Sequence, residues 1–108
     1  MARQDALQGS LPLLTLKLLA RRGPMHGYAI ATQIMNLSDE LRVEEGSLYP
    51  ALHRLEEAAF IKARWATTET GRRARVYDIT ANGRKQLEAD EVRWKAISAA
   101  VDKVLRLA

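Results

Sequence analysis

Residues 46–56 carry two sets of side chains whose spacing suits them to opposite faces of one helix. The first set is apolar and recurs at i, i+4 and i+7: Leu48, Leu52 and Leu55. The second set would face outward, small and uncharged at first and then rich in hydrogen-bond donors: Gly46, Ser47, Tyr49, Pro50, His53 and Arg54. A helix that enters a DNA groove needs little bulk where backbones approach, and donors that reach base edges or phosphates. The segment therefore has the pattern of a DNA-contacting helix. The alternatives are Ser47 as a helix cap, Tyr49 as edge packing and His53 in solvent.

A second chemical signal is positive charge concentrated in one short stretch. The chain has a formal net charge of +4 and a pI of about 9.8. Residues 60–77 contain one acid, Glu69, and five bases: Lys62, Arg64, Arg72, Arg73 and Arg75. This stretch accounts for the whole net charge, which favours a surface that docks on a polyanion over a uniformly basic shell. We expect Arg72, Arg73 and Arg75 to make those contacts; the alternative is a solvated charged hairpin without a partner.

The sequence lacks the usual arrangements of catalytic and metal-binding side chains. Cysteine is absent, which excludes disulfides, thiol catalysis and cysteine-ligated metal. The two histidines, His26 and His53, belong to different predicted elements and have no carboxylate pattern for a triad or a metal site. The six glycines are scattered, so no phosphate-binding glycine loop is present. We expect no enzymatic activity, no catalytic residue, no metal and no cofactor.

Length and hydropathy narrow the class of protein further. A chain of 108 residues fits one domain, or one small domain with an appendage. No apolar run approaches the ~20 residues that span a bilayer, and residues 1–5 lack the apolar stretch of a signal peptide. We expect a cytoplasmic protein with no membrane partner.

Three helices are predicted in the first half of the chain. Residues 1–9 are expected to form an N-terminal tail, with Ser10 capping a helix from Leu11 to about Arg22. A second helix is expected over residues 28–37. Pro50 must fall near the first turn of the third helix, which therefore begins near residues 45–47. Two helices of about ten residues joined by a tight link are typical of a helix-turn-helix.

A β-hairpin is predicted to follow the third helix. Ile61, Ala63 and Trp65 alternate with basic residues, residues 67–71 are rich in turn formers, and residues 75–79 alternate again as a returning strand. Together with the helices, this predicts a mainly α fold with a small β-hairpin, a winged helix-turn-helix, over residues 10–80.

The last helix is expected to begin after the N-cap Thr80 and to run to about Arg106. Its length of roughly 40 Å exceeds the width of such a domain. Its apolar side chains follow a seven-residue repeat typical of a short coiled-coil seam: Leu87, Trp94, Ile97, Val101 and Val104. We therefore predict that residues 81–108 form a dimerisation helix. Trp94 has two interpretations, as an apolar interface anchor or as a flat wall for an aromatic effector.

Several motifs in this order resemble the PadR-like family of transcriptional regulators over about residues 10–106. They are Met25-His26-Gly27-Tyr28, Gly46-Ser47-Leu48-Tyr49-Pro50-Ala51-Leu52, Leu55-Glu56 with Ile61, Arg72-Arg73, Tyr77 with Ile79-Thr80, and Gly83. The resemblance implies a homodimeric repressor whose third helix lies in the major groove of a two-fold-symmetric operator, an inverted repeat. It also implies that the wing contacts the DNA backbone or minor groove. Some relatives release DNA when a small hydrophobic or phenolic molecule binds.

Individual residues acquire expected roles from this resemblance. Tyr28 matches a position that anchors to phosphate in helix-turn-helix proteins, with core packing as its alternative. Pro50 would present an apolar surface, and Arg54 a phosphate contact. Ala59 stands where the family usually has glycine. Either it adopts a positive φ, with a strain of about 1 kcal/mol, or the third helix ends one residue differently and its pose changes.

A second class of function stays open at this point. A winged helix can also serve as a protein–protein adaptor without binding DNA. An adaptor has no need for the excess charge to lie in one hairpin, which favours the DNA-binding interpretation. Duplex RNA fits less well, because a helix cannot read the deep, narrow groove of the A-form.

Overall fold

The computed structural model describes the backbone of residues 2–108 and the side chains of residues 10–108 except Glu45. Four helices and three strands follow one another along the chain: α1 (Ala2–Arg22), β1 (Met25–His26), α2 (Gly27–Leu37), α3 (Glu45–Glu57), β2 (Ile61–Thr67), β3 (Arg73–Ile79) and α4 (Ala81–Leu105). The predicted fold class is confirmed: three helices and a small antiparallel sheet form a winged helix, and a long helix follows.

One hydrophobic core joins the first three helices to the base of the sheet. Helix α3 contributes the apolar face that its spacing predicts, together with Ala51, and all of these side chains are buried: Leu48, Ala51, Leu52 and Leu55. Ile30 and Ile34 of α2 are equally buried, as are Ile61 and Ile79 at the base of the hairpin. The burial of one face of α3 leaves its opposite face directed away from the core.

The sheet has the strand order β1-β3-β2, and both pairs are antiparallel. The hairpin register pairs Ile61 with Ile79 at the base and Thr67 with Arg73 near the tip. The two-residue strand β1, which the sequence did not predict, pairs Met25 with Tyr77. It fixes the start of α2 against the wing, the β2–β3 hairpin.

Helix α3 ends in a Schellman motif in which an alanine occupies the left-handed position. Ala59 has φ 62°, its N–H bonds the Glu56 carbonyl at 3.0 Å, and the Phe60 N–H bonds the Leu55 carbonyl at 3.0 Å. Of the two outcomes expected for Ala59, the positive φ is therefore confirmed. The helix ends as it would with glycine.

Helix α4 extends well beyond the winged helix. Thr80 is its N-cap, as predicted, and its hydroxyl accepts a hydrogen bond from the Gly83 N–H at 3.0 Å. Leu87 is buried, whereas every side chain from Val92 to the end of the chain is exposed. The chain measures 58 × 28 × 21 Å along its principal axes, and the exposure of residues 92–108 shows that the C-terminal half of α4 packs little against the described side chains.

Two sequence-based predictions are corrected by these elements. The tail expected over residues 1–9 is wrong for residues 2–9, whose backbone belongs to α1, while Met1 lies outside the described residues. Pro12 removes only one N–H from α1 and does not end it, and the Ala-, Gln- and Leu-rich residues before it favour a helix. Leu87, expected in the dimer seam, is only 7% exposed and belongs to the core.

Candidate nucleic-acid interface

The outer face of α3 presents the side chains that the sequence predicts for DNA contact. Tyr49, Pro50, His53 and Arg54 are exposed, and Ser47 is half-buried. The Nε2 atom of His53 lies 3.3 Å from a carboxylate oxygen of Glu57, one turn later. The second half of this face therefore carries an acidic side chain beside His53.

Tyr49 is positioned by a close approach to α2. A β-carbon at Gly27 would lie 3.0 Å from Cε1 of the Tyr49 ring, so the ring rests directly on the first residue of α2. The exposed fraction of Tyr49 is still 45%. One side of the ring therefore packs, as the edge-packing alternative predicts, and the rest faces solvent; DNA contact by Tyr49 stays a prediction.

Tyr28 projects from the first turn of α2 beside this ring. It is 69% exposed, which overturns core packing as the interpretation of this residue. Its ring stacks on His26 with centroids 6.5 Å apart and planes inclined by 16°. His26 in turn caps α2, because its Nδ1 accepts a hydrogen bond from the Ala29 N–H at 3.3 Å. The cap and the stacking together hold Tyr28 at the surface.

Two clefts show that α2, α3 and the wing share one surface. The larger, about 720 Å³, lies between His26 and Tyr28 on one side and the wing residues Arg72 and Arg73 on the other. The smaller, about 270 Å³, brings Tyr28 together with Tyr49. We call this surface, formed by the outer face of α3, Tyr28 and the wing arginines, the helix–wing surface.

The three wing arginines do not have the same surroundings. Arg72 and Arg73 are exposed and form no ion pair with any side chain that the structure describes. The Arg73 guanidinium lies 5.2 Å from the centre of the Trp65 ring. Arg75 instead forms an ion pair with Glu56 of α3, with Nη2 2.7 Å from Oε2.

Glu56 and Trp65 contact the wing arginines, and neither residue is among those predicted for this site from the sequence. Trp65 faces outward in the strand alternation and is 59% exposed. A tryptophan among arginines in an alternating strand could have been predicted to belong to this surface. Nothing local marks Glu56, because its partner lies 19 residues away. Beneath this pair, burial raises the pKa of the Tyr77 phenol, although the adjacent Arg75 charge acts in the opposite direction.

The predicted dimer seam remains, without Leu87, as a stripe of exposed apolar side chains. Between half and two thirds of each side chain is accessible: Trp94, Ile97, Val101 and Val104. Their spacing of three or four residues places them on one side of α4. Large apolar side chains exposed in a contiguous stripe are typical of an interaction surface.

The described residues contain no group of three or more His, Asp or Glu side chains that could hold a metal ion. None of the helices within them is long and apolar enough to cross a membrane.

Comparison with known proteins places this architecture in a family. The model of the transcriptional regulator PadR-like family matches residues 15–89. A transcriptional regulator from Clostridium thermocellum is 32% identical, with a TM-score of 0.81 over 92% of this chain and 93% of that chain. A PadR family transcriptional regulator from Eggerthella lenta is 26% identical, with a TM-score of 0.82 over 97% of this chain and 89% of its own.

A third solved structure agrees over nearly the whole length of both chains. The PadR-like transcriptional regulator from Bacillus cereus is 27% identical, with a TM-score of 0.81 over 96% of this chain and 99% of that chain. The matched family region spans the helix–wing surface and the start of α4. The chain belongs to the PadR-like family of transcriptional regulators.

Proposed function

We propose that this transcriptional regulator is a homodimeric repressor that binds double-stranded DNA at an inverted repeat through the helix–wing surface. The single observation that carries the proposal is the meeting of three elements at one surface. Arg72 and Arg73 share a cleft with Tyr28, and Tyr28 shares another with Tyr49. A helix in the major groove and a wing on the flanking backbone need this arrangement.

The proposed contacts divide into positioning and base-reading groups. Tyr28, Arg72 and Arg73 would bind phosphates, which fixes the orientation of the protein on the duplex. Ser47 and Tyr49, in the first turn and a half of α3, would reach base edges or phosphates, and Pro50 would face a thymine methyl. His53 and Arg54 would contact the backbone one turn later.

We propose that the chain dimerises through the seam of α4. In this proposal residues 10–80 form the DNA-binding part and residues 81–108 form the dimerisation helix. Support comes from the exposure of the seam and from the length of α4 beyond the core. Two half-sites of an inverted repeat one DNA turn apart, about 10 bp, require two copies of the major-groove helix related by a two-fold axis, as in a symmetric dimer.

The dimer proposal is tested by replacing one valine on each side of α4. Val101 and Val92 are both exposed and stand on opposite sides of the helix. In sedimentation velocity, the wild type and Val92→Glu should be dimers, and Val101→Glu should shift toward the monomer. Equal sedimentation of the two variants would remove the seam from the proposal.

Trp94 offers a place for an effector within the same dimer. At 53% exposure, the two symmetry-related rings would meet near the seam and could stack on a flat aromatic molecule. A panel of aromatic compounds added to the protein–DNA complex, with Trp94→Leu as the control, tests whether such a molecule releases DNA.

DNA binding itself is tested by selection from a randomised duplex library followed by footprinting. We expect an inverted repeat to be enriched and protected. Failure to enrich any sequence, together with binding that is no tighter than to random duplex, would favour the alternative function of a winged-helix protein–protein adaptor.

A further inference from the structure

The basic wing residue Arg75 has contacts that distinguish it from its neighbours at the tip. Its Nη2 lies 2.7 Å from Oε2 of Glu56, which belongs to the last turn of α3. The Arg75 side chain is 42% exposed and that of Glu56 is 30% exposed, so the pair is partly shielded from solvent. The pair joins the wing directly to the helix that carries the proposed base-reading residues.

Two aromatic rings hold the same guanidinium from below. Its central carbon lies 5.9 Å from the centre of the Trp65 ring and 5.9 Å from the centre of the Tyr77 ring, within the range of cation–π attraction. Trp65 pairs with Arg75 across the hairpin, and Tyr77 is buried at the base of β3. The guanidinium is thus fixed on several sides, and the carboxylate of Glu56 already balances its charge.

Because the pair lies between the base and the tip of the hairpin, a change in its geometry would move the tip of the wing. Gly71, at the tip of the hairpin, precedes Arg75 by four residues, which corresponds to about 13 Å along a strand. A rotation of the hairpin by about 10° at Arg75 would move the tip by about 2 Å, the backbone of Arg72 by about 1.7 Å and that of Arg73 by about 1 Å, enough to lengthen a phosphate contact beyond hydrogen-bond distance. The base of the hairpin is held by the core, and above the base the ion pair of Arg75 with Glu56 links the wing to α3.

We infer that Arg75 is a positioning residue, and that its ion pair with Glu56 sets the wing at a fixed distance from α3. This inference rests on the proposed function, because it concerns how the helix–wing surface engages DNA. Arg72 and Arg73 then supply the phosphate contacts of the wing, and Arg75 pre-organises them. The functional roles of the three arginines, which appear equivalent in the sequence, are therefore different.

The variant Glu56→Gln separates this inference from simple electrostatics. Removing a negative charge near the DNA should by itself strengthen binding. If the ion pair positions the wing, Glu56→Gln instead weakens binding to the selected inverted-repeat duplex by about 3- to 10-fold. Unchanged or tighter binding by Glu56→Gln would overturn the inference.

The salt dependence of binding distinguishes Arg75 from a phosphate contact. Arg72→Ala should lower the slope of log affinity against log salt by about 1 per lost contact. Arg75→Gln should lower affinity but leave the slope unchanged, Arg75→Lys should restore most of the affinity, and Glu56→Gln/Arg75→Gln should be no weaker than either single variant. A slope lowered by about 2 in the Arg75→Gln dimer, one contact in each protomer, would show that Arg75 binds phosphate and would refute the positioning role.

A measurement without DNA keeps the inference separate from the proposed function. In NMR relaxation of the free protein, amides of residues 68–72 should gain motion in Glu56→Gln and Arg75→Gln, while Arg72→Ala should not alter them. Unchanged wing dynamics in both ion-pair variants would overturn the inference. Failure of the wild type to prefer any DNA sequence, with altered wing dynamics in these variants, would overturn the proposed function alone.

Discussion

The hydroxyl of Thr80 donates a 2.6 Å hydrogen bond to the carbonyl of Ala59. The same hydroxyl accepts a hydrogen bond from the Gly83 N–H, and the Thr80 N–H bonds the Phe60 carbonyl at 3.0 Å. One residue therefore connects the end of α3, the proposed recognition helix, to the first turn of α4, the proposed dimerisation helix.

Replacing Thr80 with valine removes both hydrogen bonds of the hydroxyl with little change in shape. We expect Thr80→Val to lower the free energy of unfolding by about 1 to 2 kcal/mol, since an N-cap is lost and a helix-end carbonyl loses a partner. Thr80→Ser keeps the hydroxyl and should stay within a few tenths of a kcal/mol of the wild type. Urea unfolding of the three proteins measures this, and equal losses in Val and Ser variants would show that the hydroxyl is not responsible.

A glycine at position 59 should make the chain more stable. Ala59 is exposed and holds φ at 62°, where a β-carbon costs about 1 kcal/mol. Ala59→Gly relieves that strain, so the free energy of unfolding should rise by about 1 kcal/mol.

The neighbouring alanine provides a matched control for position 59. Ala58 is also exposed but has φ −79°, a conformation in which alanine is favoured. Ala58→Gly should therefore lower the free energy of unfolding by about 0.5 to 1 kcal/mol. Changes of the same sign in both variants would contradict the strain at Ala59.

Substitution by alanine should have opposite effects on stability at two glycines near the starts of helices. A β-carbon at Gly83 would overlap the Phe60 carbonyl oxygen and lie 2.7 Å from Cγ1 of Ile79, whereas at Gly46 it would meet nothing within 4 Å. Gly83→Ala should cost about 3 kcal/mol through overpacking, and Gly46→Ala should raise stability by about 0.5 kcal/mol. Thermal unfolding checks both, and a Gly83→Ala protein as stable as the wild type would be inconsistent with this packing of α4 on the wing base.

The ion pair between α1 and α4 should give a defined pH dependence. Lys17 Nζ lies 2.9 Å from Oε1 of Glu91, and this hydrogen bond lowers the pKa of the Glu91 carboxyl below its ordinary value of 4.5. A lowered pKa in the folded chain means that the carboxylate stabilises the fold above about pH 4.5 and loses that effect as the pH falls through the folded pKa.

Glu91→Gln should therefore be less stable than the wild type at pH 7, and the difference should shrink below about pH 4.5. Glu88, exposed on the same helix and in no described ion pair, provides the control Glu88→Gln. Urea titrations from pH 3 to 7 make the comparison. A difference that stays constant over this range would exclude Glu91 ionisation as its cause.

The sequence predicts those parts of the fold that repeat a local period. Leu48, Leu52 and Leu55 define the buried face of α3 because three apolar residues at helical spacing have only one shared face. The hairpin follows in the same way from strand alternation. In contrast, β1 consists of Met25 and His26 alone, which is too short to show any period.

The sequence predicts which residues belong to the candidate site better than it predicts the role of each residue. Exposure of Tyr28 and of the outer face of α3 follows from helical position. The pairing of Arg75 with Glu56 depends on how the hairpin lies against α3, and a tertiary contact of this kind leaves no mark in local spacing. Leu87 shows the same limit, since the seven-residue repeat does not reveal where the domain ends and the free part of α4 begins.

The most direct test of the DNA-binding proposal is the salt dependence of binding to the selected inverted-repeat duplex. It compares the wild type, Arg72→Ala/Arg73→Ala, and the control Arg93→Ala/Lys103→Ala, which removes two exposed bases of α4. We expect the slope of log affinity against log salt to fall by about 4 in the Arg72→Ala/Arg73→Ala dimer, which loses two contacts in each protomer, and to stay unchanged in the control. Equal slopes and affinities in all three proteins would contradict a helix–wing surface that binds DNA.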